Sequence, residues 1–125
     1  MKKKILCVMT IIILAAMLTV PSFAARITVN VTNGEYGSYG KAYLNSYTGS
    51  SYADTIANSN GNELVSVELF VNYSSVAKTE NRGSNYTTAV AVYPGSGTTA
   101  QGIHLIDRYI NGTLVRFRAF PEVTL

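Results

Sequence analysis

The chain has 125 residues, 47% of them hydrophobic, and a formal charge of +3, which is length enough for one domain with, at face value, a basic surface. The surplus charge is Lys2, Lys3 and Lys4; beyond residue 24 seven basic side chains meet seven acidic ones, which removes the electrostatic case for nucleic acid or a charge-driven membrane partner. The single cysteine, Cys7, lies in the same leading segment, so the remainder has neither a disulfide framework nor thiol chemistry and must hold together by packing and strand pairing.

Residues 1–24, "MKKKILCVMTIIILAAMLTVPSFA", combine a basic start, an apolar run from Ile5 to Val20, and Pro21 ahead of the small residues Ser22 and Ala24. That order predicts a secretory signal peptide cleaved after Ala24 or Ala25. A retained transmembrane anchor is the alternative, and the helix-breaking Pro21 with the small residues at the junction counts against it. The expected product is one exported domain over 25–125, extracellular or associated with the envelope of a bacterium.

The exported part opens with "RITVNVT" (26–32), where Ile27, Val29 and Val31 alternate with Thr28, Asn30 and Thr32 at the period of a half-buried strand. Strands over 38–48 and 51–58 follow, and Gly49-Ser50 between them suits a type II′ turn that pairs Tyr47 with Tyr52, Asn45 with Asp54 and Tyr43 with Ile56. One face then carries Tyr39, Lys41, Tyr43, Asn45, Tyr47, Tyr52, Asp54 and Ile56; its reverse carries Gly40, Ala42, Leu44, Ser46, Ala53, Thr55 and Ala57. Lys, Asn and Asp are costly to bury unpaired, so Tyr39, Tyr43, Tyr47 and Tyr52 are predicted to form a partly exposed ladder and are the candidate binding residues. The competing reading is that these rings are core, since Tyr is also a good strand former with cross-strand packing value.

A strand over 63–74, "ELVSVELFVNYS", places Val65, Val67, Leu69, Val71 and Tyr73 on one face, and "NYTTAVAVY" (85–93) repeats the alternation with Tyr86, Thr88, Val90 and Val92. Strands over 102–110 and 113–120 flank Asn111-Gly112, the pair of positive-φ residues a type I′ hairpin turn needs. This register sets Ile106, Ile110, Val115, Phe117 and Ala119 toward a core and leaves an Asp107–Arg116 ion pair, with Arg118 nearby, on a solvated face. Seven short strands separated by Gly/Asn/Ser turns predict an all-β fold, a single antiparallel β-sandwich, with a small β-barrel as the alternative.

Residue types for catalysis are sparse. His104 is the sole histidine and is expected to be a strand residue near a sheet end; no cysteine or carboxylate spacing suggests a metal, and Asp54 and Asp107 select no partner for a glycosidase pair. "GSGTTAQG" (95–102) lacks the strand-to-helix setting and the Lys of a phosphate loop. No cofactor is called for, and the expectation is a protein without enzymatic activity.

The order of a signal peptide, "KAYLNSYTGSSYADT", "VSVELFVNY" and "AQGIHLI" followed by "NG" resembles small secreted β-sandwich proteins of Gram-positive bacteria, including the lactococcin 972-like bacteriocins. The resemblance runs over most of the exported chain as pattern rather than motif. It implies export, a disulfide-free β-sandwich, and action on the cell envelope through a lipid-linked wall precursor; it assigns no binding residue. Three functions are therefore expected to compete: a binding module using the Tyr face on a cell-wall component, a lipid-linked precursor or a surface protein; a bacteriocin; and a structural envelope protein that self-associates through edge strands.

Overall fold

Alternating side chains become strands along the whole described chain. The structure, a computed structural model, describes residues 24–47, 50–58, 62–92 and 99–124. Among them it forms β1 (Ala24–Asn33), β2 (Gly37–Tyr47), β3 (Ser50–Ala57), β4 (Leu64–Val71), β5 (Ser74–Arg82), β6 (Tyr86–Val92), β7 (Thr99–Ile110), β8 (Thr113–Ala119) and β9 (Glu122–Thr124). The predicted signal peptide, apart from Ala24, lies outside the described residues. No helix among them is long and apolar enough to cross a membrane.

All pairings are antiparallel, in the order β5-β4-β7-β8-β1-β2-β3-β6, with β9 also on β7. The sheet curls until its two edge strands approach, giving a nearly closed, barrel-like β fold. At the seam Asn81 Nδ2 donates to the carbonyl of Tyr86 at 3.2 Å. Inward-facing side chains fill the interior in two apolar clusters. One holds Val31, Ala42, Ala57, Val65, Ile106 and Phe117; the other holds Leu44, Ala53, Val67, Leu69, Val71 and Ala100.

The C-terminal hairpin has the predicted register, Ile110↔Thr113 through Ile106↔Phe117, with Asn111 at φ 49° and Gly112 at φ 78°. Its ladder stops after His104↔Ala119 and resumes in step at Gln101↔Glu122. Pro121 between them has no N–H to give, although its carbonyl accepts from Gly102 N–H at 3.0 Å. A Cβ at Gly112 would meet nothing within 4 Å, so Gly112→Val tests the backbone alone. A loss of about 1–3 kcal/mol is expected from forcing a β-branched residue to positive φ. An unchanged melting temperature would remove that role of the turn.

Three expectations about strand ends and register need correction. The strand expected over 63–74 ends at Val71, where Asn72 (φ 49°) and Tyr73 (φ 64°) form a two-residue turn into β5, so Tyr73 sits at a turn and not on the apolar face. The turn has no glycine to announce it, and β5 is a solvated edge strand whose Lys78, Glu80 and Arg82 guard against pairing with other chains. The β2–β3 register is Tyr47↔Ser50, Asn45↔Tyr52 and Tyr43↔Asp54, two residues from the expected one; the turn residues 48–49 lie outside the described residues. A slip of two leaves every side chain on its predicted face, because the strand period is two. Accordingly Ala42, Leu44, Ala53, Thr55 and Ala57 are buried, as their face predicts.

The third correction is local and moves a candidate residue. Between Asn30↔Lys41 and Thr32↔Ser38 the β1–β2 ladder shifts, so β2 contributes an extra residue at Tyr39-Gly40. Such a bulge re-aims a side chain. Tyr39 consequently leaves the ladder and packs on the core, its ring centroid 5.4 Å from that of Phe117.

Candidate functional site

The outer face of β1, β2, β3 and β6 is built by register alone. Three rows of side chains cross it: Arg26, Asn45, Tyr52 and Val90; Thr28, Tyr43, Asp54 and Thr88; Asn30, Lys41, Ile56 and Tyr86. With strands about 4.8 Å apart and alternate residues about 6.8 Å apart, the lattice covers roughly 14 by 14 Å. Tyr43 and Tyr52 lie diagonally within it, both half-buried, while Tyr86 (44%) and Val90 (59%) are exposed. Arg26 lies 5.9 Å from the Tyr43 ring centroid, and Lys41 Nζ donates to Asn30 Oδ1 at 3.0 Å. Asn45 is the polar centre of the first row and is almost wholly covered by its neighbours.

Of the four tyrosines predicted to bind, Tyr43 and Tyr52 occupy this face together. Tyr47 closes β2 opposite Ser50, and its side chain lies outside the described residues. Tyr39 is separate. Its hydroxyl donates to Glu63 Oε1 at 2.7 Å, and the Arg108 guanidinium lies 3.8 Å from its ring centroid. Burial first, and then the carboxylate it donates to, raise the Tyr39 phenol above its ordinary value. Glu63 is itself 1% exposed, so this cluster braces one end of the barrel. Tyr39→Ser should therefore destabilise by about 3 kcal/mol or more in a urea titration, whereas Tyr43→Ser should cost about 1 kcal/mol. Equal losses would show that both rings are core.

Sequence reasoning missed Tyr86 and Val90 as members of the face. Alternation in "NYTTAVAVY" shows that they share a side but not which side faces water, and in the structure Thr87, not its larger neighbours, is buried. The one contact resembling a nucleophile and base is interior. Thr55 Oγ1 lies 2.8 Å from His104 Nδ1, yet both residues are 0% exposed, so no substrate reaches them in this conformation. His104 thus lies at mid-barrel, not near a sheet end as its sequence position suggests.

What the outer face offers is non-covalent: flat rings with phenol edges, set among hydroxyl, amide, carboxylate and cationic groups on rigid strands. Such a surface stacks on apolar ring faces while its polar groups hydrogen-bond to hydroxyls. Comparison with protein families, with curated proteins and with solved structures finds no match.

Proposed function

We propose that the protein is a small, secreted, non-enzymatic binding protein of the bacterial cell surface, whose contact face is the outer side of β1-β2-β3-β6 with Tyr43 and Tyr52 as its anchors. The observation that carries this reading is placement. The barrel interior is filled by residues of the opposite face, so Tyr43 and Tyr52 hold outward positions that core packing does not demand. Rings interleaved with Thr28, Asp54 and Thr88 suit a saccharide, whose C–H faces stack and whose hydroxyls need donors and acceptors. Cell-wall glycan, free or carried on a lipid-linked precursor, is the ligand class.

The test is a sedimentation assay on isolated bacterial cell walls beside thermal melts. Tyr43→Ser and Tyr52→Ser should each weaken binding about tenfold, because aromatic anchors commonly dominate contact energy, while remaining folded. Undiminished wall binding by the folded double variant would end the proposal.

A further inference from the structure

We propose that Asp54 is the specificity-determining acceptor of the outer face, its carboxylate taking a hydroxyl of an uncharged sugar ring stacked on Tyr43 or Tyr52. This role deepens, and rests on, the reading of β1-β2-β3-β6 as the contact face. Register sets Asp54 beside Tyr43 on β2 and Thr88 on β6, and Tyr52 lies two residues before it on the same side of β3. The steps are about 4.8 Å across strands and about 6.8 Å along them, so a ring stacked on either anchor overlies Asp54.

Asp54 is half-buried, and its Oδ1 is covered by its surroundings yet has no hydrogen-bond partner. Donors stand close by but are turned elsewhere. Thr88 Oγ1 donates to the Tyr86 hydroxyl, and Lys41 Nζ donates to Asn30 Oδ1 at 3.0 Å. Arg26 lies over the Tyr43 ring, 5.9 Å from its centroid. A carboxylate accepts and cannot donate, so one that is partly withdrawn from solvent and given no donor costs the free fold stability. Core packing does not demand a carboxylate at this outward position. A ligand donor reaching its open side would recover part of that cost through a charge-assisted hydrogen bond.

The charges of the face decide what carries that donor. Across its three rows Arg26 and Lys41 accompany Asp54, two cations to one anion. An amino sugar would bring its ammonium against a surplus of positive charge, and an acidic sugar would set a carboxylate against Asp54 at the point of contact. Hydroxyls supply donors without a charge. An uncharged ring therefore satisfies Asp54 while its C–H face lies on the tyrosine.

Calorimetric titration with soluble probes tests this beside sedimentation on cell walls. The uncharged N-acetylglucosamine tetramer should bind about tenfold or more tighter than the cationic glucosamine tetramer or the anionic galacturonic acid tetramer. Asp54→Asn should weaken binding of the uncharged tetramer about tenfold, while its urea midpoint stays equal to the wild type or rises. Glu122→Gln, on β9, should leave binding unchanged. Equal binding by Asp54→Asn, a lower midpoint for it, a charged tetramer bound as tightly as the uncharged one, or no binding of the uncharged tetramer by protein that sediments with walls would each overturn the proposal. The comparison of probes on the wild type decides even if Asp54→Asn does not fold. Wall binding kept by Asp54→Asn but lost by Tyr43→Ser removes the role of Asp54 alone, whereas wall binding kept by both, and by the Tyr43/Tyr52 double variant, removes the contact face with it.

Discussion

Gly40→Ala should destabilise the barrel by about 3 kcal/mol or more, a large fraction of the 5–15 kcal/mol that typically holds such a domain. A Cβ at this position would lie 2.3 Å from the carbonyl oxygen of Ile56 and 2.6 Å from Ile106 Cδ1, and φ is +156°. The Ile106 methyl can rotate away, but the Ile56 oxygen is backbone within β3, which leaves the β2–β3 ladder to open at Gly40↔Ala57. Gly40 is also half of the bulge that turns Tyr39 onto Phe117 and Glu63, so the added methyl disturbs the ladder and the braced end together. Gly34→Ala is the control, since a Cβ there meets nothing within 4 Å. Urea unfolding should show a much lower midpoint for Gly40→Ala than for Gly34→Ala; equal midpoints would mean that β2 relaxes around the methyl and that the bulge does not depend on glycine.

Faces were more legible in the sequence than depth or ring placement. The Asn111-Gly112 turn and the alternation on either side fix the C-terminal hairpin, because turn chemistry and period agree there. The β2–β3 register is two residues from the expected one, yet its faces are right, since a slip of two preserves parity. Tyr39 departs because a bulge adds one residue, and one residue exchanges faces; a lone glycine in a Gly-rich segment does not announce it. The strand β5 is invisible to an apolar pattern, having little apolar side to show, and the turn before it uses Asn72-Tyr73 in place of glycine. The candidate site follows the same division. Alternation groups Tyr43 with Tyr52, but the outward direction of Tyr86 and Val90 depends on which small residues the interior can accept.

The imidazole of His104 should make the fold acid-sensitive between pH 6.5 and about 4. The ring lies between the two apolar clusters, fully buried, with Nδ1 2.8 Å from Thr55 Oγ1. Thr55 Oγ1 has one proton and donates it to the carbonyl of Ser66 at 3.1 Å, so Nδ1–H donates to Thr55 and Nε2 is left as an acceptor. Nε2 has no hydrogen-bond partner and lies over Gly102, where a Cβ would approach it to 2.2 Å. A proton added there would bring a charge into the interior without an acceptor, and this desolvation, partly offset by a backbone group of Asp54, lowers the pKa from 6.5 to about 4. Between those values the unfolded chain binds the proton and the folded chain does not. The stability is thus complete above pH 6.5, falls as the pH drops toward 4, and loses nothing further from this group below that. The shift corresponds to a loss of about 3 kcal/mol. Carboxylates in general titrate in the lower part of the same range, so the contribution of His104 is the difference between the wild type and His104→Asn, whose amide can still donate to Thr55. At pH 7.5 His104→Asn should be the less stable because of the space it leaves; by pH 4 the gap should close or reverse in urea unfolding. The ring protons of His104 should titrate near pH 4 in nuclear magnetic resonance spectra. A midpoint near 6.5, with parallel stability curves for the two proteins, would mean that water reaches the ring and that the interior opens at Gly102.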